Sequence, residues 1–394
     1  MAPSAPEKPT VFRITKNLAI GGVQKRLAQM LPLLLPFFNV HVVVTGRRGA
    51  LADELERSGV HIHHIPIKGK WNPLAIRRIA SLLRRYKADI VHGHSRGGII
   101  LALAAGALAG VPVRIGHIHS RGAHWLAGSA WGLKRQIFLE TLMHKLCKSH
   151  VFCVSEETRE YVLEQTGLPE EQVSLLYNGV ALPETLEKSA GRALRERYAI
   201  PPEAVVIGFV GRLTWGKGLE FIEAMAAKLA HNAERHYVFF MVGGGSEETI
   251  ALLRKAFAPL AERGVSLIQA GEQAEPGPFY QAFDLLLFPS QPCYEGFPGT
   301  MLEAAAYGLP ILSRRIAPAA ELERYYSRIY RMADDEDPAA AIHALLALPP
   351  DTKGDFAAVF SIEAMAQRTI DQYRRLLPAA RNAPGGRDGA PGSI

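Results

Sequence analysis

"VVIGFVGRLTWGKGLE", residues 205–220, reads as one structural unit. The β-branched and aromatic run from Val205 to Val210 is a strand, Gly211 ends it, and Lys217-Gly218 precede a helix-like segment. A strand, a glycine turn and a helix in that order make half of a βαβ crossover, so the sheet is parallel. The alternation continues downstream through "YVFFMVG" (237–243), "VSLIQAG" (265–271), "DLLLFPS" (284–290), "PILSR" (310–314) and "RIYRMA" (328–333). The intervening helices are expected near 217–230, 246–262, 299–308 and 337–347.

Upstream the pattern is the same. "VFRIT", "NVHVVVT", "HIHHIPI", "ADIVHGH", "VRIGHIH", "HVFCVS" and "VSLLYNG" read as strands, with helices over Gln24–Leu35, Pro73–Tyr86 and Trp131–Lys148. The fold class is therefore α/β, with two doubly wound domains in series. Their join falls at "NGVALPETLEKSAG", residues 178–191, which gives domains at 10–180 and 181–360. A last helix over 361–377 is expected to pack back on the first domain, and the Pro/Gly-rich stretch 378–394 is expected to be disordered.

Charge divides along the same line. Residues 1–150 carry 22 Lys and Arg against 6 Asp and Glu, net +16; residues 151–394 carry 23 against 32, net −9. A basic first half suits an anionic partner or a solvated outer face. The longest apolar run, "IILALAAGALAGVPV" from Ile99, is shorter than the roughly 18 to 20 residues a membrane span needs. It reads as a buried helix. "MAPSAPEKPT" has no apolar signal core, and the three cysteines, Cys147, Cys153 and Cys293, show no disulfide or zinc spacing. A cytoplasmic location is expected.

Ligands of open parallel sheets bind beyond the carboxyl ends of the strands, and every candidate motif lies at such an end. Gly21-Gly22 opens the first helix and lets backbone approach a ligand. His92, His94, His117 and His119 end two strands as "VHGH" and "GHIH". These rings suit a metal or a polar rim; no Asp, Glu or Cys joins them at ligand spacing, which favours the rim, with His119 bonded to a substrate hydroxyl or carbonyl. Gly211-Arg212 and Lys217-Gly218 bring two cations to a helix start, a site for a diphosphate. Gly243 begins another strand-to-helix turn. "EGFPGTMLE" sets Glu295 in a loop and Glu303 about one turn into a helix, with the amides of Phe297 through Leu302 facing phosphate. Neither a dinucleotide GxGxxG in the first turn nor a Walker A loop is present, so neither redox cofactor nor ATP hydrolysis is indicated.

The two glutamates, with seven residues between them, resemble the E-x7-E motif of the retaining GT-B glycosyltransferases of the GT4 type. The likeness extends through "GGV", "DIVHGH", "IHS", "YNGV", "GRL", "KG" and "GGG". It implies two Rossmann-like domains facing across a cleft, with the second binding a nucleotide-sugar as co-substrate and no other cofactor or metal. Arg212 and Lys217 then correspond to the diphosphate-binding pair, Glu295 to the glutamate near the sugar, Glu303 to the ribose-holding one, and His119 to a histidine contacting the transferred sugar. Gly22, Asn178, Gly211, Gly243, Gly296, Phe297, Pro298, Met301 and Leu302 correspond to donor-binding positions. Two departures stand out: Glu321 lies in "SRRIAPAAEL", which lacks the family's glycines, and Pro298 replaces a common Gly, removing one amide. The expected partners are a glycan, lipopolysaccharide or lipid-linked acceptor and an anionic membrane surface on the cytoplasmic face of the inner membrane, with no nucleic acid. A GT-B epimerase, a phosphorylase or a non-catalytic binding homologue stays open.

Overall fold

A computed structural model describes residues 8–19, 21–67, 72–121, 129–231, 235–351 and 354–381. The chain divides into two compact units, one of Met1–Gly179 with Ile362–Ile394 and one of Val180–Ser361.

In the first unit β1 (Thr10–Thr15), β2 (Asn39–Val44), β3 (His61–His64), β4 (Ile90–His94), β5 (Val113–Ile118), β6 (His150–Cys153) and β7 (Val173–Leu175) form one sheet. Their order is β3-β2-β1-β4-β5-β6-β7. In the second unit β8 (Val205–Val210), β9 (Tyr237–Val242), β10 (Val265–Gly271), β11 (Leu285–Phe288), β12 (Ile311–Arg314) and β13 (Ile329–Met332) follow the order β10-β9-β8-β11-β12-β13. The register is parallel at each pairing, for example Val11 opposite Val40 and Phe209 opposite Met241. In both sheets strand order reverses at the first strand, between β1 and β4 and between β8 and β11. Adjacent chains leave the sheet in opposite directions there and open a crevice.

Central strands such as β1 and β9 are buried along their whole length, as a sheet covered by helices on both faces requires. One face of the first sheet packs Val11, Val42, Ile90 and Ile115 against Leu27 of the helix Gly22–Met30 and against Ile370, Tyr373 and Leu376. The opposite face packs Phe12, Ile14 and Val91 against Ile79, Leu83, Leu101 and Ala105. The apolar run read from Ile99 is the helix Ser95–Ala109, which begins four residues earlier because Ser95 follows directly on β4. No helix among the described residues is long and apolar enough to cross a membrane.

Helices at Leu51–Arg57, Glu156–Thr166 and Ser189–Arg197 had no strong sequence signal. Glu156–Thr166 buries only Thr158 and Val162, too few for an apolar stripe, although Ser155 caps it by accepting from the Thr158 amide at 3.1 Å. Ser189–Arg197 starts inside the segment read as the join; Gly191 lets it approach the Gln281-Ala282 backbone.

The last helix spans Ile362–Arg381 and runs past the expected end at 377. It belongs to the first unit, with Ile362, Met365, Ala366, Ile370, Tyr373, Leu376 and Leu377 in that unit's core. The disordered tail expected over 378–394 falls outside the described residues from position 382. Ile370 is 2% exposed. Ile370→Ala is expected to cost about 2 to 5 kcal/mol of the first unit's stability and to split the calorimetric unfolding trace, with the second unit's transition unmoved.

Candidate active site

The crevice between β8 and β11 is closed by two loops that fit each other closely. Gly218 adopts φ +79°, and a Cβ there would lie 1.9 Å from the Pro289 carbonyl oxygen. Only glycine satisfies both conditions. The Gln291 amide donates to the Gly216 carbonyl at 3.3 Å, tying the second loop to the first. This places Lys217 against Glu295 in an ion pair and 5.8 Å from the centroid of the Tyr294 ring. Both charged side chains are about four-fifths buried, at 17% and 20% exposure. The ammonium is thus oriented by a carboxylate on one side and a ring on the other.

Arg212 follows Gly211 at the tip of β8. It is exposed, and among the described residues its guanidinium makes no hydrogen bond or ion pair, while its carbonyl accepts from the Thr214 amide at 3.0 Å. Gly243, at φ +148°, packs so tightly that a Cβ would lie 1.8 Å from the Gly211 carbonyl oxygen. The Leu213 amide donates to Gly244 at 2.8 Å, which holds the loop after β8 against the one after β9.

The helix Gly299–Ala306 follows the loop after β11, with Pro298 at its N-cap position. The amide row expected from Phe297 to Leu302 is shorter than the sequence suggested. Proline has no N–H, and the Leu302 amide donates to the Pro298 carbonyl at 3.5 Å. Gly299, Thr300 and Met301 occupy the first turn, whose amides have no intrahelical acceptor. Gly296, Phe297, Pro298, Met301 and Leu302 are buried and shape the turn through backbone. Glu303 accepts from the Tyr280 hydroxyl at 2.7 Å, and Tyr280 stacks on Tyr307 with centroids 5.6 Å apart. Burial, then the Glu303 charge, raises the Tyr307 phenol above its usual range. One carboxylate oxygen of Glu303 is therefore engaged and the carboxylate is fixed in orientation.

The remaining predicted residues lie in the other unit. Gly22 is the first residue of its helix, and Asn178 is buried next to Gly179, whose amide donates to Met365 Sδ at 3.1 Å. His94, His117 and His119 line a cavity of about 410 Å³ together with Asn17, Val23, Arg96 and Arg121. His92, His94 and His117 bring one ring nitrogen each within 4.8 Å of one another. The described contacts favour the polar reading of this cluster over the metal one. His92 Nδ1 meets the Tyr373 hydroxyl at 2.7 Å and His92 Nε2 meets His117 Nδ1 at 3.2 Å. His94 Nε2 meets Arg13 Nη1 at 2.8 Å, which would set a guanidinium beside any bound cation.

Residues 20–183 match the family described as Glycosyltransferase Family 4, and residues 204–348 match Glycosyl transferases group 1. The chain belongs to the GT4-type, group 1 glycosyltransferases. It is 25% identical to the Staphylococcus aureus capsular polysaccharide biosynthesis glycosyltransferase CapH over 80% of this chain and 84% of that one. It is 28% identical to an Escherichia coli UDP-Gal:alpha-D-GlcNAc-diphosphoundecaprenol alpha-1,3-galactosyltransferase over 75% of this chain and 77% of that one. The Anabaena Alr3699/HepE structure in complex with UDP and glucose superposes with a TM-score of 0.74 at 15% identity, covering 92% of this transferase and 99% of that chain. A glycosyltransferase from Rickettsia africae superposes at 0.73 and 18% identity, covering 95% and 100%. These likenesses agree on the GT-B fold.

Sequence reasoning missed three parts of the transferase's sites. Tyr280, which orients Glu303, lies 23 residues upstream on another helix. Tyr294 carried no signal until Gly216 was seen to make room for it, a Cβ there lying 2.3 Å from the ring. Arg13 reads in sequence as an ordinary alternating strand residue, yet it is only 1% exposed.

The histidines have a measurable consequence for acid stability. Burial, then the Arg26 and Arg13 charges, pushes His119 down to about 3, and burial, then Arg13, lowers His94 well below its usual range. A folded value below the unfolded one means that the unfolded chain binds more protons as pH falls. This stabilisation is complete above the ordinary histidine value of about 6.5 and is lost progressively below it. The first unit is expected to melt earlier at about pH 5 than at about pH 7.5. His94→Gln should flatten that dependence in calorimetric scans.

Proposed function

We propose that this transferase moves a hexose from a nucleoside-diphosphate sugar to a hydroxyl of a glycan, lipopolysaccharide or lipid-linked acceptor, with retention at the anomeric carbon and without a metal. The observation that carries the reading is Lys217, held between Glu295 and Tyr294 at the crevice of the Val180–Ser361 unit, on the same loop after β8 that carries Arg212, while the loop carrying Glu295 leads into the helix Gly299–Ala306. The names of the relatives support the substrate classes. One acts on UDP-galactose and a diphosphoundecaprenol-linked sugar, and one structural neighbour holds UDP and glucose.

In this reaction the bond from the anomeric carbon to the diphosphate oxygen breaks as the acceptor oxygen bonds to the same face. Negative charge grows on the leaving diphosphate, so fixed cations and helix amides aimed at it lower the barrier. Lys217 supplies an ammonium already desolvated and oriented, and it exchanges part of its bond with Glu295 for the phosphate. The Glu295 carboxylate thereby becomes available to the sugar hydroxyls. Arg212 supplies the second cation, and Glu303 offers its remaining oxygen to the ribose. The leaving phosphate oxygen receives the acceptor's proton.

The membrane expectation narrows to one helix. Pro73–Arg85 buries Ala75, Ile79, Ala80 and Leu83 and turns its arginines outward, an ordinary solvated face. Ala130–Leu146 is different. Trp131, Phe138 and Leu146 are 70%, 64% and 71% exposed, and Lys134, Arg135 and Lys145 lie among them, with Arg135 stacked 5.3 Å from the Trp131 ring. An aromatic and basic stripe of this kind suits the interface of an anionic leaflet, where the acceptor would reside.

A panel of sugar nucleotides read by nucleoside-diphosphate release should identify the donor. With it, the Arg212→Ala/Lys217→Ala double variant is expected to lose about 10² to 10³ in turnover while keeping its melting profile; full turnover would refute the diphosphate site. In titration calorimetry with the nucleoside diphosphate, Glu303→Gln should weaken affinity about tenfold while Glu295→Gln leaves it nearly unchanged. Liposome flotation should show binding that needs anionic lipid and disappears in Trp131→Ala/Phe138→Ala; flotation indifferent to lipid charge or to those residues would sink the docking role.

A further inference from the structure

The first unit buries a polar layer where β1, β4 and β5 end. Arg13, His92, His94 and His117 are each no more than 2% exposed, and His119 is half-buried beside them. Among the described residues no carboxylate is hydrogen-bonded or ion-paired to any of the five. The contacts form two chains. One runs from Arg13 Nη1 to His94 Nε2 at 2.8 Å and from His94 Nδ1 to His119 Nε2 at 3.0 Å. The other runs from the Tyr373 hydroxyl through His92 to His117.

The first chain has a direction that chemistry fixes. A guanidinium has N–H donors and no acceptor, so His94 Nε2 must offer a lone pair. A neutral imidazole carries one proton, which then sits on His94 Nδ1. That N–H donates to His119 Nε2, so the proton of His119 is on Nδ1. A cationic His94 would point an N–H at the guanidinium, and burial together with the Arg13 charge keeps both rings neutral. The second chain starts at a hydroxyl, which can donate or accept, so no protein group sets its direction.

His119 consequently has no lone pair to give. Its Nε2 is occupied, and its Nδ1 is a buried N–H with no acceptor among the described residues. We infer that Arg13, acting through His94, fixes His119 as a dedicated Nδ1–H donor that binds a substrate oxygen and cannot serve as the base that takes the acceptor's proton. Arg13 is thus a positioning residue, two side chains removed from the ligand. The group that completes the site is an oxygen acceptor, such as a sugar hydroxyl, a carbonyl or a phosphoryl oxygen; an ammonium or other donor-only group is refused. The role at the substrate rests on the transferase reading above, whereas the tautomer does not.

The decisive measurement is on the full-length protein with ¹⁵N-labelled histidine imidazoles. His119 is assigned by subtracting the spectrum of His119→Gln. The wild-type spectrum should show Nδ1 of His119 as the protonated nitrogen and Nε2 as the bare one; the reverse overturns the inference without need of a variant. Arg13→Lys keeps a donor-only cation and should keep that pattern. Arg13→Met removes the donor and should give a mixture of tautomers, and a single Nδ1–H form in a folded Arg13→Met protein also overturns the role of Arg13. With the donor found by the panel, Arg13→Met should lower kcat about tenfold, with Lys restoring most of it and KM for the sugar nucleotide changing less than threefold or so. Failure of the wild type to turn over any sugar nucleotide would tell against the transferase reading, while the spectra still decide the tautomer.

Discussion

Where the order of parallel strands reverses, two neighbouring chains part and leave the sheet's hydrogen-bonding groups and helix starts facing an opening. The fold makes that opening; side chains must close or use it. In the second unit the loops after β8 and β11 meet through Lys217 and Glu295. In the first, β1 and β4 meet through Arg13 and His94. Both contacts put a cation at the reversal, one against a carboxylate and one against a neutral ring. The difference sets what each opening can do. A cation balanced by a carboxylate can trade partners with an incoming anion. A buried guanidinium facing an imidazole has no such partner to release, and its influence is passed along as the direction of a hydrogen bond.

Close backbone packing is what gives those side chains their aim. Gly218 and Gly243 bring carbonyl groups of neighbouring loops to distances that any Cβ would block. Lys217 is therefore carried on a turn braced by Pro289, and the Tyr294 ring lies over the space left by Gly216. Glu303 is braced through a different route, by Tyr280 and the stacked Tyr307. A preorganised site of this kind needs little rearrangement when charge develops on a leaving group.

Much of this was legible in the sequence. Every strand of both sheets matches a run read as a strand, β1 alone starting one residue earlier at Thr10, because segments buried on both faces are largely β-branched, aromatic or aliphatic and are bounded by Gly, Pro or charged residues. The long helices were legible for the same reason. Glu156–Thr166 and Ser189–Arg197 were not, since neither buries enough apolar surface to leave a periodic trace. In the site, residue types and their strand-end positions pointed to Arg212, Lys217, Glu295 and Glu303. Their pairing was hidden: Lys217 and Glu295 are 78 positions apart, and nothing in either neighbourhood says that they touch. Arg13 was hidden more deeply, because a charged residue in an alternating strand reads as solvent-facing until the helix Ile362–Arg381 is seen to cover it through Tyr373.

That helix also orders events during synthesis. All of Val180–Ser361 is contiguous and emerges from the ribosome before Ile362, so its core can close while the chain is still growing. The earlier half has its seven strands long before then, but Ile370, Tyr373 and Leu376 arrive last. Until those residues are made, one face of the nascent amino-terminal sheet is covered only in part, by the helix Gly22–Met30 and the turn after it, and the segment made first is completed after the one that follows it.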